Sequence, residues 1–313
     1  MTLKSVRNAC VLAIALLTLA APAKSQDKES AVDDGPIVKL LEQGIAPRQT
    51  LRLAPTKGMQ QTAIMTMKID QTIVMRGQKL PATPTPAIQF TIDVKITDVA
   101  SNGDVSLEYN YPKVEIIDDA DQPSPVKAMM ETMLKSMEGL AGTATISNRG
   151  FTKKSEITLP DDAQPQLKAM IGSMQESMSR LSSPLPEEPI GVGGKWSVTQ
   201  LIESNGMKMK QTSVHTLKEI KGKTFDVAIE LTQAADAQEI QTPGVPPGTS
   251  TKLISLESTG EGSMQFESGV MFPISTVKSD STMKMEMVTA GQTLPMQIEM
   301  TMEMSVKPAE AAK

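Results

Sequence analysis

The strongest constraint on this chain is a period of two. In MQIEMTMEMSV (296–306), Met296, Ile298, Met300, Met302, Met304 and Val306 alternate with Gln297, Glu299, Thr301, Glu303 and Ser305. Successive side chains of a strand point to opposite faces, so this pattern spells a strand with one apolar face and one wet face. Ala63, Met65, Met67 and Ile69 alternate in the same way. So do Ile92, Val94 and Ile96, with a small slip to Val99, and then Val105, Leu107, Tyr109 and Tyr111. Alternation of this kind calls for antiparallel strands, and SNGD (101–104) supplies a turn between two of them.

The strands fall into two related sets. QTAIMTMK (61–68) matches QTSVHTLK (211–218), and a Gly-Met pair precedes each copy, Gly58-Met59 and Gly206-Met207. FTIDVKITDVA (90–100) resembles FDVAIELTQAA (225–235). GTATISNRGFTKKSEITL (142–159) and GEGSMQFESGVMFPISTVKS (260–279) share a strand, a glycine turn at Gly150 or Gly269, and a returning strand. Matching order across three blocks indicates a duplication. The first copy is lengthened around the proline-rich GQKLPATPTPA, and the second adds methionine-rich strands over 281–288 and 295–306.

Two segments switch to a helical period. After Ser124-Pro125, Met129, Met133 and Met137 recur every four residues beside Met130, Leu134 and Leu140. After Asp161-Asp162, Leu167, Met170, Ile171, Met174, Met178 and Leu181 follow suit. Both read as amphipathic helices. The fold expected is mainly β (α+β): a duplicated, strongly curved, half-barrel-like antiparallel sheet with two amphipathic helices packed on it. The first β repeat spans 45–160 with a helix at about 125–140. A helix and proline-rich join occupy 161–190, the second β repeat 191–307, and a disordered tail 308–313.

The N-terminus reads as an export signal. Lys4 and Arg7 precede the apolar ACVLAIALLTLA (9–20), and Ala21-Pro22-Ala23 forms a cleavage site before Lys24. Residues 1–23 are then a signal peptide and 24–44 a polar, disordered leader, which places the mature protein in the periplasm or outside the cell. Cys10, the only cysteine, stands at the start of the apolar core, where it cannot serve as a lipid-attachment site. Its removal leaves no thiolate for disulfide, zinc or nucleophilic chemistry. Cleavage also shifts the net charge from −5 to about −7, which disfavours nucleic acid as a partner.

No catalytic signature emerges. GVGGKW (191–196) fails as a phosphate loop, because Pro189 stands where the first glycine belongs and Trp196 where Ser or Thr belongs. His215 is the only histidine, and its counterpart in the first copy is Met65. The carboxylate groups at Asp118-Asp119-Asp121, Asp161-Asp162 and Glu187-Glu188 lack calcium-loop spacing. The expectation is a protein that is not an enzyme and holds neither a cofactor nor a metal.

The methionines define the binding question. Thioethers suit Cu(I), but consecutive in-face methionines of a strand stand about 6.6 Å apart at the backbone. They also occupy positions where amphipathic patterns want apolar residues. A flexible apolar lining is the better reading. The residues expected to line it are Met129, Met133, Met137, Met170, Met174, Met178, Met283, Met285, Met287, Met300, Met302 and Met304.

An exported chain whose curved sheet is interrupted by helices resembles, over about 45–306, the LolA/LppX-type lipoprotein-carrier superfamily, in which an unclosed barrel surrounds an apolar lipid cavity. The lipobox cysteine of that superfamily's lipoprotein members is missing. PIGVGGKW (189–196) is similar to a segment of exported bacterial proteins of domain-of-unknown-function family 6263, which carries no assigned activity. Together these imply a non-enzymatic carrier of an apolar or lipid-like ligand. The alternatives are an envelope-interaction protein with a closed methionine-rich core and, third, a Cu(I)-binding periplasmic protein.

Overall fold

The computed structural model describes residues 35–81, 85–117, 127–135, 137–158, 184–204, 206–240, 249–289 and 292–309. The expected signal peptide, residues 24–34 of the leader and the segment expected to hold the second helix lie outside them. Residues 37–42 of the leader, expected to be disordered, instead form a strand, because Val38 and Leu40 pair into the sheet beside Val198 and Trp196.

The strands are β1 (Ile37–Glu42), β2 (Gln60–Met75), β3 (Gln78–Lys79), β4 (Ala87–Val99), β5 (Val105–Ile117), β6 (Ala141–Ile146) and β7 (Thr152–Thr158) in the first part. The second part holds β8 (Lys195–Ser204), β9 (Met207–Lys221), β10 (Thr224–Ala235), β11 (Gln238–Ile240), β12 (Ser250–Glu267), β13 (Ile274–Thr289) and β14 (Gln292–Pro308). One helix, α1 (Lys127–Lys135), is described. All fourteen strands belong to one antiparallel sheet ordered β1-β8-β9-β10-β12-β13-β14-β2-β4-β5-β6-β7, with β3 on β2 and β11 on β12.

This corrects the expected half-barrel carrying two helices. The two meanders join through β14 and β2 into one open sheet, with β1 and β7 at its edges. Helix is confined, among the described residues, to the nine of α1. The physical reason is strand length: β12, β13 and β14 run 18, 16 and 17 residues. Continuous alternation over that length gives a backbone ladder that needs no helix to complete its hydrogen bonding.

The sheet coils nonetheless. Leu53 donates its N–H to Asn148 O (2.7 Å) in the β6–β7 turn, and Ala54 donates to Ser268 O (2.6 Å) in the β12–β13 turn. Turns from opposite halves therefore meet at consecutive residues of one strap, the segment 43–59 between β1 and β2. Arg52 fixes the strap to the proline-rich join, with Nη1 on Pro186 O and Nη2 on Glu187 O, both at 2.9 Å. Gly260 and Gly262 permit the coiling of β12, since a Cβ on either would collide with the backbone of β13. Glycine kinks of this kind are how long strands bend.

Three apolar clusters share one face of the sheet. The first joins β4 and β5, including Phe90, Tyr109 and Tyr111, to Leu134, Met137 and Leu140 at the end of α1. Gly139, at φ +78°, ends that helical segment. The second gathers Leu253, Leu256, Met283, Met285, Met287, Met296, Ile298 and Ile73. The third holds Trp196, Leu217, Phe225 and Phe266 beneath Leu51, Leu185 and Ile190 of the strap and join.

Candidate functional site

Strand register turns the sequence alternation into two chemically distinct faces. On the face bearing the three clusters, the in-phase residues of β14 are Leu294, Met296, Ile298, Met300, Met302, Met304 and Val306. Those of β13 are Ser275, Val277, Ser279, Ser281, Met283, Met285 and Met287, and those of β2 are Gln61, Ala63, Met65, Met67, Ile69, Gln71, Ile73 and Met75. The same holds for the in-phase positions of β4, β8, β9, β10 and β12. Across all of these, no Lys, Arg, Asp or Glu stands on this face. A charged side chain there would be removed from water without a counter-charge.

The methionines expected to line a cavity separate into groups. Met283, Met285 and Met287 are buried within the second cluster against Met296 and Ile298. Met137 is buried in the first cluster. Met300, Met302 and Met304 are only half-buried. They stand at the β14–β2 junction, where Met302 faces Ile69, Met304 faces Met67 and Val306 faces Met65. These five methionines form a seam between the two meanders that is more open than either flanking cluster. Met129 and Met133 lie on α1, and their side chains are outside the described residues, as are Met170, Met174 and Met178.

A polar belt crosses this apolar face, and sequence reasoning missed it. Gln200 of β8 faces Gln211 of β9, which faces Gln233 of β10, which faces Ser258 of β12, which faces Ser281 of β13. Met300 of β14 and Gln71 of β2 continue the row. Gln233 donates from Nε2 to Gln211 Oε1 (2.7 Å), and Ser281 Oγ donates to Ser258 Oγ (2.9 Å). Gln200 is only 5% exposed, and its Oε1 has no hydrogen-bond partner among the described residues. The available signal was phase: each of these residues occupies an apolar slot of its alternation.

The opposite face is polar. Thr199, Thr212, Thr232, Thr259, Asp280, Thr301 and Asp70 form a cross-strand row on it. A trough of about 1140 Å³ overlies β10 to β2 here, and a smaller one of about 620 Å³ adjoins it. Its groups are largely satisfied by one another. Asp70 pairs with Lys68 (3.3 Å) and Glu299 with Lys79 (3.3 Å), while Thr301 donates to Asp280 (2.5 Å). Among the described residues, no three His, Cys, Asp or Glu side chains are grouped to hold a metal ion.

His215 belongs to a core. It is 1% exposed and stacks on Trp196, with ring centroids 4.9 Å apart and planes 10° from parallel. Burial pushes its pKa down to about 4, so the imidazole is neutral at physiological pH. Trp196 in turn donates Nε1–H to Pro184 O (3.2 Å), which seats the join over the third cluster. The glycines of GVGGKW serve that corner. Gly191 lies so close under the Ile45 carbonyl that a Cβ would not fit, and Gly193 takes φ +80°.

Residues 163–271, which include β8, β9, β10, β11 and β12, match a family of unknown function (DUF6263). No curated protein matches the chain.

Proposed function

We propose that the chain is an exported, non-enzymatic binding protein that carries an apolar or lipid-like ligand on the charge-free face of its sheet. The observation that supports this is the half-buried seam of Met65, Met67, Met300, Met302 and Met304. Methionine side chains are flexible and polarizable, and adapt to apolar molecules of varied shape. An open sheet presenting a wide apolar, charge-free face supports the carrier reading, and the ligand class follows from the face itself. Native mass spectrometry of protein purified from its exported form tests the reading. Retained lipid-like mass that organic extraction removes is the expected result, and protein recovered only at its bare mass overturns it.

A second reading is an envelope-interaction protein whose methionines only fill its core. It is favoured by Met283, Met285, Met287 and Met296, which pack together with little exposure. Reproducible cross-linking to one fixed envelope protein, together with a bare native mass, would select it.

A further inference from the structure

The polar belt bears on what kind of apolar molecule the face takes, and the argument rests on the carrier reading above. The belt runs Gln200, Gln211, Gln233, Ser258, Ser281, Met300, Gln71. On one side lies the apolar row Ala235, Leu256, Met283, Ile298, Ile73. On the other, Met302 and Ile69 continue the methionine seam. A pure hydrocarbon carrier has no use for amides and hydroxyls in that position, and each one buried carries a desolvation cost unless it is bonded. Most of the belt is internally paired, through Gln211–Gln233 and Ser258–Ser281. The buried exception is the Gln200 carbonyl oxygen, which has no partner among the described residues. Leaving such an acceptor unsatisfied costs about 1–3 kcal/mol, and a donor brought by a ligand would recover it.

The charge of the face selects among donors and acceptors. With no Lys or Arg on it, a carboxylate or phosphate headgroup would be desolvated without a counter-charge; with no Asp or Glu, an ammonium would fare no better. An uncharged N–H or O–H group pays neither penalty. We infer that the β8 end of the belt is a headgroup site for a neutral amphiphile, one whose amide or hydroxyl donates to Gln200 while its hydrocarbon chain runs across the sheet toward the methionine seam, which begins five strands away.

Oleamide and oleate share a chain and differ in headgroup charge, so they are suitable probes. Titration of each into the full-length mature protein at pH 8 can be followed by the fluorescence of Trp196, the only tryptophan, which lies on the same strand and face as Gln200. Oleamide is expected to bind about tenfold more tightly than oleate, a ratio that corresponds to one recovered buried hydrogen bond. Gln200→Leu removes an unsatisfied acceptor, so it is expected to fold, and to weaken oleamide about tenfold while leaving oleate, which the charge-free face already disfavours, nearly unchanged. Gln200→Met serves as a second variant, expected to weaken oleamide more than oleate. Equal wild-type affinities, or an unchanged oleamide affinity in Gln200→Leu, would overturn the headgroup site while leaving the carrier reading intact. Failure of both probes to bind the wild type would overturn the carrier reading as well.

Discussion

Trp196 and His215 lie flat against each other, 4.9 Å between ring centroids, on adjacent strands β8 and β9. Burial lowers the histidine's folded pKa from 6.5 to about 4. The native state therefore binds fewer protons than the unfolded chain between those values, and stability falls as pH drops through that window. Above pH 6.5 the contribution is fully present. By pH 4.5 the loss should reach roughly 2–3 kcal/mol, at 1.36 kcal/mol per pH unit. Asp98, Asp104 and Glu303, held below the usual carboxylate range by hydrogen bonds from Lys57, Lys153 and Lys278, act in the same sense at still lower pH. His215→Phe keeps a ring against Trp196 but cannot titrate. Thermal melts at pH 7 and pH 4.5 should show a markedly smaller drop for this variant, and equal drops would refute the assignment.

The strap is held by Arg52 more than by its neighbours. Its guanidinium donates to the carbonyls of Leu51, Pro186 and Glu187, and burial, with Arg149 nearby, lowers its pKa. Arg52→Met preserves the aliphatic stem and orphans those carbonyls, at an expected cost of about 2–4 kcal/mol. Arg48, whose bonds reach only the exposed Gly44 carbonyl, should cost about 0.5 kcal/mol or less when replaced by Met. Urea denaturation of the two variants compares them directly, and similar midpoints would contradict the assigned role of the strap.

Glycine substitutions test the coiling of β12. A Cβ at Gly262 would meet the Thr276 carbonyl and the Val277 side chain, whereas Gly269 has nothing within 4 Å. Gly262→Ala is expected to cost about 1–3 kcal/mol, and Gly269→Ala to fall within about 0.5 kcal/mol of wild type. If both variants melt alike, β12 does not need its glycines in order to bend.

Much of this architecture is legible in local sequence. Period-two runs such as Met296–Val306 translate directly into strands, because an apolar residue at every second position has only one way to share a face. The methionine stripe after Pro125 likewise corresponds to α1, although the helix is shorter than the stripe because Gly139 turns the chain back toward Tyr111. Pairing order is not written locally. Nothing within QTAIMTMK says that β2 will pair with the C-terminal β14 and fuse two meanders into one sheet. The third block of the repeat shows the same limit. It matches the β6–β7 turn to the β12–β13 turn, yet β6 and β7 end their meander whereas β12 and β13 stand inside theirs. The belt was hidden for a related reason. Gln200, Gln211, Gln233, Ser258 and Ser281 are isolated polar residues in five strands, and only register makes them neighbours.

Oxidation separates the two classes of methionine. Met300, Met302 and Met304 are half-buried, whereas Met283, Met285 and Met287 are closed within the second cluster. Under dilute peroxide, peptide mass spectrometry should find the first three converted to sulfoxide well before the others. Indistinguishable rates would mean that the seam is no more open than the core.

Two adjacent residues on opposite faces of β14 separate binding at the methionine face from binding in the polar trough. Met302 points to the charge-free face, and Thr301 points to the polar face, where it donates to Asp280. Oleamide affinity should fall at least about tenfold in Met302→Glu, because the new carboxylate enters a face without charge, and should be nearly unchanged in Thr301→Glu. Equal losses in the two variants, or a loss confined to Thr301→Glu, would contradict the assignment of ligand binding to the methionine face.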